Sequence, residues 1–280
     1  MQTSKEHEEL WLSQTRINAY LSCPYYYKLT YIDKVPVESK GNYHTALGNG
    51  IHKALEEFYK IQDYELDTLM TWWNVACHQG YVEKNGQVVL PILHDPQYEF
   101  HNEDKEREIL DNHGKKLLRQ YYHANKHDFG RNEVVATELH FKVPVGQAGH
   151  VILNGYIDRI DRTPEGQLVI IDYKTGKERT QEDVEWDTQL TLYALAVRKT
   201  LGEIEGYLYL HFIKSGNKVN VTRTKVHFDD LLSKIKDVKQ GIYEGMWEPK
   251  LGSQCRYCLH ECPIGGNVAH RARVKTESSI

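Results

Sequence analysis

The chain lacks the features that would place it in several large protein classes. It has no apolar run long enough to cross a membrane. Its first residues, MQTSKEHEEL, are polar and acidic, unlike a secretory signal. Together these predict a cytoplasmic protein without a membrane partner. It has no excess of positive charge. Lys and Arg number 35 against 39 Asp and Glu, a net charge of −4, which argues against a broad basic coat for duplex DNA but leaves room for a local basic groove. There is no internal repeat and no low-complexity tract, which excludes repeat arrays and compositionally biased segments. Cysteine is scarce, five residues in 280, and disulfides are not expected in a cytoplasmic protein. Phe and Trp are few, 6 and 5, beside 19 Tyr. Tyrosine stacks on unpaired bases, and it serves strands and interfaces equally well. What remains, 40% apolar and 26% charged residues, is ordinary globular composition, and the length suffices for one large domain or two small ones.

The most informative stretch is Val151 to Lys177, VILNGYIDRIDRTPEGQLVIIDYKTGK. It reads as two strands joined by a turn at Pro164-Glu165-Gly166. In the second strand Leu168, Ile170, Asp172 and Lys174 share one face, and Val169, Ile171 and Tyr173 share the other. Both faces are apolar until the end, the pattern of a central strand. A carboxylate and an ammonium then project together from the edge of a core. For Asp-x-Lys alone, a structural ion pair is the commoner explanation. A divalent cation held by Asp158 and Asp172 would equally satisfy the charge, which is costly to bury unpaired. Asp161 has the wrong strand parity to join Asp158.

The Gly-x-x-Asp strand, the tight hairpin and the buried strand ending in Asp-x-Lys resemble the core of the PD-(D/E)xK nucleases. The words GYIDRID and IIDYKTGK resemble its RecB-like branch, including the iron–sulfur nucleases of AddB type and of CRISPR adaptation. By that resemblance Asp158 and Asp172 would hold magnesium or manganese together with the carbonyl of Tyr173. Lys174 would orient the attacking water or stabilise developing charge. The second acid is Asp172 where many relatives have Glu, a shorter arm. In GNGIHKALEEF, His52 resembles the family's histidine motif and would be a further metal ligand, although a lone histidine on a helix is usually only half-exposed polar surface. Glu138, one strand before the hairpin, stands where the family often has an acidic residue, and it reads as well as an edge-strand surface glutamate. Gln189 and Tyr193 lie four apart on one helix face and resemble the Gln-x-x-x-Tyr mark of the RecB-like branch, which would place them at the active site. Elsewhere such a pair is surface and core rim.

Helices are expected over about 13–32, broken at Cys23-Pro24 with Ser13 as N-cap, and over 45–61, 66–82 and 100–126. Gly48 and Gly50 suggest close packing or close approach of a DNA backbone. Cys77 reads as a small buried hydrophobe. From Glu133 the period changes to two. The hairpin, a helix over 184–200, strands over 207–214 and 218–228 and a helix over 229–246 follow.

Cys255, Cys258 and Cys262 fall within eight residues, in CRYCLHECP, and such clustering points to metal. The C-x2-C step is shared by zinc and iron–sulfur sites, and Cys262-Pro263 resembles ferredoxin-type runs. The stretch SQTRINAYLSCPYYYKLTYI resembles the N-terminal arm of the iron–sulfur nucleases, where the cysteine is the first cluster ligand. The resemblance thus implies a 4Fe–4S cluster on Cys23, Cys255, Cys258 and Cys262. The C-x3-C step is shorter than in relatives, which leaves Zn2+ open with His260 as a substitute ligand.

The expected fold is α/β: a nuclease core with a mixed central sheet flanked by helices, a helical N-terminal part, and a cysteine cluster joining the two chain ends. The expected divisions are 1–132, the helical part; 133–250, the nuclease core; and 251–280, the cysteine segment and tail. The implied function is a metal-dependent DNA nuclease, an exonuclease on single-stranded DNA in repair or recombination. The alternatives are trimming of DNA before CRISPR integration, and a catalytically idle DNA-binding subunit. DNA, and a helicase or CRISPR-adaptation protein, are the implied partners. An N-terminal arm arching over the site would make a tunnel that admits a strand by its end, with Tyr25, Tyr26 and Tyr27 as stacking candidates.

Overall fold

The computed structural model of the protein describes residues 9–37, 40–83, 85–146 and 150–264. The first eight residues, read above for targeting, and the tail after Ile264 lie outside them. The chain divides into two compact units, each assembled from separated segments.

The first unit comprises Met1–Ser39, Lys142–Gly155 and Lys225–Ile280. Strand β1 (Leu10–Leu12) pairs in parallel with Val151–Leu153 at the start of β5 (Val151–Arg162). Helix α1 (Gln14–Ser22) begins where the Ser13 hydroxyl accepts from Arg16 N and ends at Cys23. That residue caps α2 (Pro24–Tyr27), with Pro24 in the first turn, where its missing N–H costs nothing. Helix α8 (Lys225–Tyr243) packs on α1. A Cβ at Gly241 would lie 1.9 Å from Tyr20 Oη, so only glycine admits that ring. Tyr20 Oη in turn donates to the carbonyl of Met246. Helix α8 starts at Lys225 rather than near 229, as expected from sequence. Its first turn, KVHF, looks like a strand but is paired along the helix by Lys225 and Asp229, four residues apart.

The second unit comprises Lys40–Phe141 and Tyr156–Thr224. Helices α3 (Tyr43–Ile61), α4 (Leu66–Asn74) and α5 (Glu103–Asn125) pack on one another. Helix α4 runs on as a wider turn over Val75–Gln79 and stops at Gly80, which has φ +74°. Trp73 is the centre of this bundle, fully buried. Gly50 and Gly114 face its ring, and a Cβ at either would come within 2.8 Å of it. Gly50 is therefore required for helix packing, one of the two explanations its position suggested. Cys77 is fully buried beside it, and burial pushes its thiol up, as expected of a small hydrophobe.

The sheet of this unit is mixed. Strand β4 (Glu133–Val145) pairs with β5, β5 runs antiparallel to β6 (Leu168–Lys174), β6 runs parallel to β7 (Glu205–Phe212), and β7 runs antiparallel to β8 (Lys218–Val221). β6 is central and buried along its length up to Lys174, as its two apolar faces imply. Register fixes the faces. Arg159 opposes Ile171, Val169 opposes both Asp161 and Tyr207, and Tyr173 opposes His211. These residues share one face, whose Val169, Ile171, Tyr173 and Tyr209 join the core of α3, α4 and α5. Asp158, Asp172 and Lys174 lie on the other. Helix α7 (Thr188–Thr200) packs against β7. The single helix expected over 184–200 is interrupted: α6 (Gln181–Glu185) ends first, and the Asp187 carboxylate accepts from Leu190 N to cap α7. Arg179 holds the same carboxylate in an ion pair.

Candidate active site and metal centre

Pairing between β5 and β6 stops at Arg159–Ile171. Beyond it the N–H of Tyr173 has no ladder partner on β5 and donates instead to Asp158 Oδ2 at 2.7 Å. The strands thus part just where both carboxylates project. His52 reaches the same carboxylate from α3, with Nδ1 3.4 Å from Asp158 Oδ2, and its ring stands edge-on to Tyr173.

Glu138 completes this group. One ligand atom from each of His52, Glu138 and Asp158 lies within 4.8 Å of the others. Glu138 has φ +45°, a left-handed conformation inside a strand. Only after it does β4 settle into regular alternation of exposed and buried residues, from His140 to Val145. This kink gives Glu138 a direction that strand parity does not supply. It is therefore not the exposed edge glutamate of the simpler sequence reading.

Asp172 lies outside that tight trio but on the same face. It is 1% exposed, and Lys174 Nζ is 2.7 Å from its Oδ2. Lys174 Nζ also donates to Gln189 Oε1 at 2.9 Å, and Gln189 Nε2 donates to Tyr193 Oη at 2.7 Å. The two residues four apart on α7 thus form a relay that holds the ammonium from behind. Tyr173 places its phenol on the opposite face, where it accepts from Arg159.

The electrostatics of the group are those of a site short of positive charge. Burial and the neighbouring Asp158 carboxylate push Asp172 up to about 7, against the pull of Lys174. Burial and Asp158 likewise raise Glu138 to about 7. Burial would lower His52, but Asp158 outweighs it, helped by Asp172 and Glu138, and the imidazole is raised. Asp158 is itself held below its usual range. Burial opposes this, but His52, the Tyr173 N–H and Lys174 prevail. Burial raises the Tyr193 phenol, with Asp172 and Asp158 adding to the effect. Three carboxylates and a histidine that repel or borrow protons in this way fit a divalent cation, and the mixed oxygen and nitrogen donors suit manganese as well as magnesium.

In the first unit, Cys23, Cys255, Cys258 and Cys262 all line one cavity of about 250 Å3, with His260 and Tyr26 on its wall. Cys23 Sγ accepts from the backbone N–H of Tyr26 at 3.4 Å and of Lys250 at 3.5 Å. Burial raises the Cys258 thiol, and the other three cysteines add to that. His260 is 4% exposed and its Nε2 bonds Thr30 Oγ1 at 2.9 Å. Among the described residues, no three cysteine sulfurs gather as closely as the ligand atoms of the His52 group. Tyr27 is buried against Tyr20 and Trp247 and is core rather than a stacking platform.

A mixed sheet carrying carboxylates, a histidine and a lysine at a strand end is an arrangement that could hold a divalent cation beside a fixed ammonium. The chain belongs to the PD-(D/E)XK nuclease superfamily, whose family model matches residues 11–262; the family is one of metal-dependent nucleases. It is similar to the Gene 69 protein of Mycobacterium phage D29, with 29% identity over 138 residues, 46% of this chain and 48% of that protein. The match therefore spans about half of the phage protein's length. The crystal structure of SSO0001 aligns over 89% of this chain and 93% of that one, at 11% identity and a TM-score of 0.31.

Proposed function

We propose that this protein is a magnesium- or manganese-dependent deoxyribonuclease that degrades single-stranded DNA from an end, in repair or recombination. The observation that carries the proposal is the joint geometry of the His52–Glu138–Asp158 trio and of Lys174, held between Asp172 and Gln189. His52, Glu138, Asp158 and Asp172, with the Tyr173 carbonyl, would hold the cation. Bound there, it supplies charge for the scissile phosphate and acidifies a water. Lys174 presents a fixed ammonium beside that position, to orient the water or stabilise charge developing on phosphate. Gln189 and Tyr193 keep Lys174 from collapsing wholly onto Asp172. The preference for a single strand is supported by the net charge of −4, which offers no broad attraction along a duplex.

The cysteine cavity is read as the seat of a 4Fe–4S cluster. The alternative is a Zn2+ site on the same cysteines, with His260 as a substitute ligand. The two N–H groups directed at Cys23 Sγ suit a metal-bound thiolate.

The test compares end-labelled linear single strands, covalently closed single-stranded circles and blunt duplex, each with magnesium and with manganese. Rapid loss of the linear strand with intact circles is expected. Equal cleavage of circles would make it an endonuclease. No cleavage with either metal would leave DNA binding alone.

A further inference from the structure

Strand β5 carries its site face beyond the metal group. Tyr156 stands two residues before Asp158, so both side chains leave the same face, about 7 Å apart along the strand. Ile157, between them, is fully buried on the other face. Tyr156 is 55% exposed. On β4, which pairs with β5, His140 follows Glu138 by two residues and is exposed as well. The rings of Tyr156 and His140 are stacked, with centroids 4.6 Å apart and planes 15° from parallel. Both residues belong to the second unit.

A single exposed tyrosine calls for no explanation. This ring differs from such a residue in two ways. It is braced, because His140 covers one of its faces and leaves the opposite face and the edge to water. It is also beside the metal group. Glu138 and Asp158, two of the three clustered ligands, lie two residues from His140 and Tyr156 on the same two strands. A strand of DNA with a phosphate at those ligands carries the attached base into this neighbourhood. A braced ring with one open face is a surface on which an unpaired base stacks.

We propose that Tyr156, backed by His140, is the stacking platform for the unpaired base next to the scissile phosphate. The inference rests on the nuclease reading and deepens it. A base inside a duplex has both faces covered by its neighbours, so the platform selects unpaired nucleotides. Stacking is tolerant of sequence, so no particular base is required.

The test is fluorescence anisotropy of the full chain with a labelled single strand and with an abasic strand of equal length, which keeps every phosphate and has no bases. Both are titrated at one salt concentration, with calcium as the oxygen-preferring ion. The wild type is expected to bind the strand with bases more tightly by about tenfold or more. Tyr156→Leu, which keeps an apolar side chain without a ring, should weaken that strand about tenfold and leave the abasic strand unchanged. Tyr156→Trp should restore the difference. If the ring pair only joins β4 to β5, Tyr156→Leu will lower the melting temperature and weaken both strands alike, which overturns the proposal. Equal binding of the two strands by the wild type also overturns it and leaves the nuclease reading intact. Absence of binding to either strand overturns both.

Discussion

Lys174 and Glu138 show at the level of single residues how far a sequence can be read. The shared face of Asp172 and Lys174 was legible because alternation along a strand is rigid, whereas the step from strand-end charge to a candidate site came from the family resemblance. The same parity set Asp161 aside, and the structure places it on the opposite face with Arg159. Glu138 was legible as a site candidate only through the family resemblance and not from strand parity, because its left-handed backbone breaks the alternation that parity depends on. That backbone costs on the order of 1–3 kcal/mol. Glu138→Gly should relieve it while deleting the carboxylate. Thermal stability should stay level or rise while manganese affinity falls, read by melting curves and calorimetry on one sample. A large loss of stability would show that the carboxylate serves the fold. Lys174→Ala should slow cleavage by about a hundredfold or more while metal binding persists. Cleavage at the wild-type rate would remove Lys174 from the chemistry.

Among the elements, α4 and α5 are tied by a half-buried carboxylate that hydrophobic periodicity could not reveal. Asp111 Oδ1 accepts from Trp73 Nε1 at 2.8 Å, and His78 and Lys115 bind the same carboxylate. Asp111→Ala would strand a buried indole N–H, at a cost of about 1–3 kcal/mol. Burial works against charge on Asp111, but the bonds from Lys115, His78 and Trp73 outweigh it and hold the carboxyl below its usual range. Because the folded value is depressed, this stabilisation is complete above the unfolded value near ~4 and fades as pH falls through the folded one. Urea melts of wild type and Asp111→Asn should therefore differ at neutral pH and converge in acid. A constant difference would mean the charge contributes nothing. The helices themselves were legible from apolar periodicity and end signals. The break before α7 was not, because it depends on Asp187 choosing between capping a helix and continuing one, and Arg179, eight residues earlier, decides that choice.

For the molecule as a whole, the cysteine cavity links Cys23 to a segment more than two hundred residues later. A cluster there would close a very long loop and constrain the unfolded chain strongly. Protein purified without air should be brown and carry iron, and Cys258→Ala should lose both colour and thermal stability. Stoichiometric zinc without iron would replace the cluster by a zinc site. Spacing alone grouped Cys255, Cys258 and Cys262, and Cys23 joined them only through the resemblance of its flanking stretch to the family's N-terminal arm.

The interleaving of the two units also sets an order of events during synthesis. His52, Glu138, Asp158, Asp172, Lys174, Gln189 and Tyr193 all belong to the second unit, whose last segment ends at Thr224. The first unit opens the chain, yet its final segment starts only at Lys225, and three of the four cysteines that line its cavity come later still. A nascent chain therefore completes the unit that carries the candidate metal site before the unit that begins the chain. Cys23 leaves the ribosome more than two hundred residues ahead of the three cysteines that share its cavity.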